Sequence, residues 1–219
     1  MNIIVIDGNV GAGKSTWLEH ISHHSDGDII PIFECVHEFA TFKDYNPLME
    51  AYSDPVRNAS ITQLHILNCI HEQIHRIPSS LKKIFISERS LFSPLVFNDT
   101  YLHSGIISPF AHHFITDRVL NRADESIHDL NIKYLSIIFL HTEASICYER
   151  IHKRQRSSEV NNITLDHLHN LEREYERHMD WWREYLGTGQ VFKIDSAAKS
   201  LTQLTEELYK CLGFSSERQ

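Results

Sequence analysis

Cysteine is sparse in this 219-residue chain: Cys35, Cys69, Cys147 and Cys211 lie far apart and form no C-x-x-C pair. That spacing argues against a disulfide framework or a thiolate metal site and for free thiols in a reducing cytosol. Runs of Lys and Arg are missing as well, and the formal net charge is −8, so a surface that tracks nucleic-acid phosphates is not expected. No long apolar run occurs, and the opening "MNIIVIDG" carries no basic region. A secretory signal, a transit peptide and a membrane span are therefore not expected, and the chain reads as soluble and cytoplasmic. Linkers, internal repeats and low-complexity tracts are absent too. With 42% hydrophobic residues, the length suits one sizeable core and a single domain over 1–219.

What the sequence does contain is an alternation of short apolar runs and longer helical patterns. The runs fall at 3–6, 29–33, 84–87, 134–140 and 191–194, and most lack polar alternation, as strands covered on both faces do. Helices are expected at 15–22, 58–77, 94–102, 109–120, 143–153, 165–185 and 201–212. Their order predicts an α/β fold with a five-stranded parallel sheet flanked by helices. Right-handed crossovers then place a site at the carboxyl ends of the strands.

Between the first run and the first helix stands "DGNVGAGKST", residues 7–16, with the spacing G-x-x-x-x-G-K-S. Gly8, Gly11 and Gly13 let the backbone turn its N–H groups inward, Lys14 can neutralise the β/γ-phosphates, and Ser15 can hold Mg²⁺. The helix that follows adds partial positive charge at its N-terminus. The expected ATP loop is Gly8, Asn9, Val10, Gly11, Ala12, Gly13, Lys14, Ser15 and Thr16.

Other strand ends carry charge. "FECVHEF" places Glu34 at the end of the second run, with Glu38 four residues on; "SERSLFS" places Glu88 and Arg89 after the third; and "ERIHKRQRSSE" gathers Arg150, Arg154 and Arg156 ahead of Glu159. Three strand ends thus supply carboxylates and guanidiniums around one pocket.

These residues resemble the deoxynucleoside kinases, the family of deoxycytidine kinase, deoxyguanosine kinase, mitochondrial thymidine kinase and the insect broad-specificity enzyme. The resemblance covers nearly the whole chain. Glu34-Cys35-Val36 resembles the family's E-P-V, Glu88-Arg89-Ser90 matches its E-R-S, and residues 150–159 resemble its arginine-rich lid. Tyr52 and Gln63 match a tyrosine and a glutamine spaced eleven residues apart in the family.

The resemblance implies a P-loop kinase fold with a lid at about 150–160, using ATP and Mg²⁺, working as a homodimer and acting on deoxynucleosides. It implies Glu34 as the base for the sugar 5′-hydroxyl, with Lys14 and Arg89 also catalytic and Glu88 joining Ser15 at the metal. Arg150, Arg154 and Arg156 would close over the triphosphate, with Asp195 also on the ATP side. Tyr52 and Glu159 would hold the 3′-hydroxyl, Gln63 would meet the base edge, and Phe39 and Pro94 would line the substrate site.

Departures from the family bear on specificity. An arginine of the deoxycytidine and deoxyguanosine enzymes is here Ile70, and their aspartate after E-R-S is Pro94; the thymidine-accepting relatives also lack that charged pair. The phenylalanine beside the glutamine is Thr62, and the base-stacking one falls at Asn98 or, with a register slip, at Phe97. A pyrimidine preference, with thymidine favoured, follows. A thymidylate-type monophosphate kinase and a non-catalytic subunit with the kinase fold are the alternatives. "HEQIH" at 71–75 fits the helical zinc pattern H-E-x-x-H. With 16 histidines in the chain such pairs arise by chance, and no third ligand presents itself.

Overall fold

The computed structural model describes residues 1–24, 29–78, 83–185 and 190–213; the side chains of Phe39, Leu135 and Ser157 fall outside that description. Strand β1 (Asn2–Asp7) runs into the loop ahead of α1 (Lys14–His24), and β2 (Ile29–Ile32) precedes three helices, α2 (Val36–Phe39), α3 (Pro47–Ser53) and α4 (Pro55–His75). β3 (Ile84–Glu88) leads to α5 (Ser93–His103) and α6 (Pro109–Asp129). β4 (Lys133–His141) leads to α7 (Ala144–Arg154), α8 (Ser157–Val160) and α9 (Leu165–Tyr185), and β5 (Val191–Asp195) to α10 (Leu201–Cys211).

The strands form one sheet in the order β2-β3-β1-β4-β5, every neighbouring pair parallel. Ile3, Ile4, Val5 and Ile6 of β1 and Ile137, Ile138, Phe139 and Leu140 of β4 are buried, as strands covered on both faces require. β1 lies between β3 on one side and β4 on the other, so the loop after it opens at the crevice where connections diverge. Ile6 is in register with Glu88 of β3 and with Ile138 of β4, which brings these strand ends level.

Local chemistry sets the helix ends. Asp54 accepts a hydrogen bond from Arg57 N with Pro55 at the first turn, so α4 starts earlier than the apolar periodicity alone predicts. Ser108 caps α6 in the same way ahead of Pro109. That helix continues to Asp129 rather than 120, because Val119, Ala123 and Ser126 keep one face buried. In α9 the buried Leu168, Leu171, Tyr175 and Trp182 recur at helical spacing. Trp17 Nε1 donates to Thr205 Oγ1 at 3.1 Å, tying α1 to α10. The short helices α2, α3 and α8 carry too few residues to show a periodicity and were not expected. No helix among the described residues is long and apolar enough to cross a membrane.

Candidate active site

The phosphate-loop motif forms a tight turn whose glycines are required sterically. Gly8 has φ +152° and a Cβ there would lie 2.5 Å from the Leu140 carbonyl oxygen; at Gly11, φ +82°, it would lie 2.7 Å from that of Cys147. Asn9 fastens the loop to α9 by donating from Nδ2 to Leu168 O at 2.8 Å. Ala12 O accepts from Thr142 Oγ1 at 3.1 Å and from Arg150 Nη1 at 2.9 Å. Lys14 Nζ donates to the carbonyls of Gly8 and Asn9 at 3.0 and 2.9 Å. Burial, then Arg89, lowers its pKa against the pull of nearby carboxylates.

Beside this loop the strand ends converge. Arg89 Nε donates to Glu34 Oε1 at 2.5 Å, and its Nη1 reaches Asp7 Oδ1 at 3.1 Å and Tyr175 OH at 2.6 Å. Arg89 adopts φ +68°, an uncommon conformation for a side-chain-bearing residue. Two bonds fix it there: Arg89 N donates to Ile6 O at 3.0 Å, and Ser87 Oγ donates to Arg89 O at 2.8 Å. Burial draws its pKa down, but Glu34, Tyr175, Asp7 and Glu88 outweigh that and hold the guanidinium charged. Ser15 Oγ donates to Glu88 Oε1 at 2.9 Å, and Glu88 Oε2 lies 3.5 Å from Glu34 N. A hydroxyl and a carboxylate side by side form the hard oxygen set that suits Mg²⁺.

Phosphate-loop and acceptor-side residues line one cavity of about 280 Å³. Its walls include Val10, Gly11, Gly13, Lys14, Ser15 and Thr16 of the loop, Glu34, Glu88 and Arg89, and, at the far end, Tyr52, Thr62, Gln63, Ile70, Pro94 and Phe97. Gln63 is 4% exposed and its Oε1 has no hydrogen-bond partner. Phe97, not Asn98, faces the cavity: its ring lies 5.0 Å from the Arg89 guanidinium. Asn98 turns the other way, donating to His112 O and Thr116 Oγ1, both at 3.0 Å.

The lid residues Arg150, Arg154, Arg156 and Glu159 close the remaining side. Arg154 Nε donates to Glu159 Oε2 at 2.8 Å, and Arg156 Nη1 lies 3.6 Å from Glu159 Oε1. Two of the expected arginines, Arg154 and Arg156, are therefore partnered with the expected sugar-side carboxylate, while Arg150 bonds to Ala12 O. Asp195 stands apart from the cavity lining; at the end of the edge strand β5 its carboxylate accepts from Ala197 N at 2.9 Å and forms a local turn. The expected Phe39 contact lies outside the described side chains.

The family model of the deoxynucleoside kinases matches residues 4–210. The chain belongs to that family. It is 26% identical over 197 residues to the mitochondrial thymidine kinase 2 of Macaca fascicularis, covering 88% of this chain and 67% of that protein. The chain thus spans about two thirds of the length of that relative. Identity is 30% over 196 residues with deoxycytidine kinase 2 of Gallus gallus, covering 79% of this chain and 72% of that one. It is 24% over 195 residues with the deoxyadenosine kinase of Lactobacillus acidophilus, covering 87% and 84%.

In this deoxynucleoside kinase chain, sequence reasoning missed the residues behind Arg89. Asp7 is 0% exposed; its Oδ1 accepts from Gly8 N at 2.8 Å and Tyr175 OH at 2.9 Å, and its Oδ2 from Ser93 Oγ. Only an acid at the very end of an otherwise apolar strand hinted at it. Cys35, where the family's proline stands, is a buried free thiol whose pKa is pushed up to about 12 by burial, with Cys69, Glu38 and Glu34 adding to it. Among the described residues no group of three or more His, Cys, Asp or Glu is arranged to hold a metal ion. His75 of the H-E-x-x-H segment instead pairs with Ser126 Oγ at 3.1 Å.

Proposed function

We propose that the chain, as a single kinase domain, transfers the γ-phosphoryl group of ATP to the 5′-hydroxyl of a deoxynucleoside, with pyrimidines preferred. The observation that carries this reading is the single cavity running from the phosphate loop to Gln63 and Ile70. Glu34 would accept the 5′-hydroxyl proton, a role supported by its place on the cavity wall and by Arg89, which bridges it to Asp7 ahead of the loop. Lys14 and the lid arginines supply the donors that match charge on the transferring group. Mg²⁺, held by Ser15 and Glu88, would offset the charge of the phosphates. Tyr52 and Glu159 are the sugar-side contacts, and burial raises the Tyr52 hydroxyl pKa, which keeps it a neutral donor.

Among the described residues the cations on the cavity wall are Lys14, Arg89, Arg150, Arg154 and Arg156, all in the phosphate loop, the E-R-S segment or the lid. Each has a place in triphosphate binding or phosphoryl transfer, which favours a nucleoside over a monophosphate as acceptor. Ile70 and Pro94 make the wall beside the base apolar. Such a wall suits the 5-methyl of thymine, whereas purine ring polar groups left unpaired there cost roughly 1–3 kcal/mol each.

The test is kcat/KM for the four natural deoxynucleosides with ATP and Mg²⁺. Thymidine and deoxycytidine should exceed each purine by about ten- to a hundred-fold. The double change Ile70→Arg with Pro94→Asp should move preference away from thymidine. A wild-type enzyme that favours a purine, or that phosphorylates only monophosphates, overturns the reading. A homodimer and a reducing, cytoplasmic setting belong to the same proposal. The packed pair α4 and α6 exposes Val56, Ile61, Phe110 and Phe114, apolar surface that a second copy would cover, and the four cysteines are free. Light scattering reads the mass directly.

A further inference from the structure

Tyr101 carries none of the matched motifs, yet it is 3% exposed and lines the cavity beside Gln63. Its position follows from packing. Ala59, one helical turn before Gln63 on α4, is fully buried and forms a small cluster with Tyr101 and Ile107. A methyl side chain at 59 lets the Tyr101 ring lie close against α4, so that Tyr101 and Gln63, one turn further along that helix, line the same cavity. His167 stacks on the ring at 5.8 Å and 19°, and the same imidazole meets Tyr52 edge-on at 6.5 Å. Burial lowers the His167 pKa to about 4, so this support is neutral at ordinary pH. The Tyr101 carbonyl accepts from Ile106 N at 2.8 Å, which closes the end of α5 and leaves the side chain little freedom.

We propose that Tyr101 is a base-specificity residue, whose hydroxyl supports Gln63 in either amide orientation and whose ring limits the depth of the base site. This rests on the reading of the cavity as a deoxynucleoside site. The two pyrimidine edges are opposite in polarity. Thymine presents an N3–H donor beside an O4 acceptor, whereas cytosine presents an N3 acceptor beside an amino donor. One glutamine amide meets both only by turning over, exchanging its oxygen and its NH₂ group. Each orientation leaves a different amide atom for the protein to satisfy in a buried place, where an unmade hydrogen bond is costly. A hydroxyl is both donor and acceptor, so Tyr101 can receive from the NH₂ group or give to the oxygen. The unpartnered Gln63 Oε1 is the atom such a turn would present to a base or to Tyr101.

Tyr101→Phe keeps the ring and its stack on His167 while removing the hydroxyl. It should raise KM for thymidine and for deoxycytidine about ten-fold, with kcat nearly unchanged and KM for ATP unaltered, as a lost uniform binding contact does. Deoxyadenosine and deoxyguanosine should be unaffected. Tyr101→Ala should raise the purine-to-pyrimidine ratio of kcat/KM at least about ten-fold by deepening the site. An unchanged pyrimidine KM in Tyr101→Phe overturns the proposal, as does an equal fall for all four nucleosides accompanied by a lower Tm, which marks a packing role. If Tyr101→Ala fails to fold, the Phe variant decides alone. A wild-type enzyme that turns over no deoxynucleoside would instead defeat the underlying reading of the cavity, so the two failures are distinguishable.

Discussion

Arg89 and the lid arginines reach one cavity from opposite conditions of burial. Arg89 is 6% exposed and meets Glu34, Asp7 and Tyr175, while Arg154 and Arg156 are 33% and 47% exposed and share a single partner, Glu159. A guanidinium withdrawn from water needs several fixed partners to offset its desolvation, and β1, the segment after β2 and α9 each provide one. Its position is therefore settled when the chain folds. The lid guanidiniums keep contact with solvent although Glu159 itself is buried, so they need fewer fixed partners than Arg89. In the proposed reading the triphosphate oxygens would take the place of this carboxylate, since phosphate accepts the same forked donors. The contrast points to a division of labour under the proposed function: the buried arginine would keep geometry, and the exposed ones would supply charge to the donor.

That contrast can be tested from its strongest element outward. Glu34→Gln keeps the shape of the Arg89 partner but removes the base, so kcat should fall about 10²–10⁴-fold with little change in nucleoside KM. Near-normal turnover would detach the chemistry from the buried cluster. Glu38, the other acid of the segment, would not replace it easily, because it is paired with Arg76 at 2.8 Å and stands away from the cavity lining.

Asp7→Asn swaps an acceptor oxygen for a donor amide among groups that all donate toward it. The loss of a buried charge partner should lower stability by about 3–5 kcal/mol, read as a shift in chemical denaturation, with activity falling alongside. A change below about 1 kcal/mol would place Asp7 in the same class as the lid pairs and erase the distinction.

Arg154→Lys gives the smallest effect on the fold. It preserves charge and loses the planar fork, so stability should stay within about 1 kcal/mol of the parent while kcat falls roughly ten-fold. Steady-state kinetics with ATP varied makes the check. A rise confined to the KM for ATP would make Arg154 a ground-state contact, one that does not strengthen in the transition state.

Much of this arrangement was legible in the sequence, for reasons that differ by residue. The five apolar runs became the five strands because β-branched residues without polar alternation suit a sheet covered on both faces. The tight turn at Gly8, Gly11 and Gly13 was legible because its positive φ angles constrain each position locally. Asn9 and Ala12 belong to the expected nucleotide loop, and the side-chain amide of one and the carbonyl of the other also hold that loop to α9, β4's end and α7, which the sequence did not show. Phe97 and Asn98 are adjacent, and only the rotation of α5 against α6 decides that Phe97 faces the cavity. Asp195, expected on the ATP side, ends the edge strand β5, and its carboxylate accepts from Ala197 N in a local turn that the sequence did not show.

The sequence by itself determined the strand and helix order, the phosphate turn and the supply of carboxylates and guanidiniums at the strand ends. Those are properties of local spacing, of steric freedom at glycine and of side-chain chemistry within a few residues. Tertiary structure alone decided that Asp7, Arg89 and Tyr175 meet, across sequence separations of 82 and 86 residues between successive partners. It also decided that Tyr101 packs on Ala59 and lines the cavity with Gln63, and that Glu159 pairs with Arg154 and Arg156. Such contacts depend on how whole helices rotate and settle against the sheet, and a close-packed interior fixes those rotations through the combined shapes of many distant side chains.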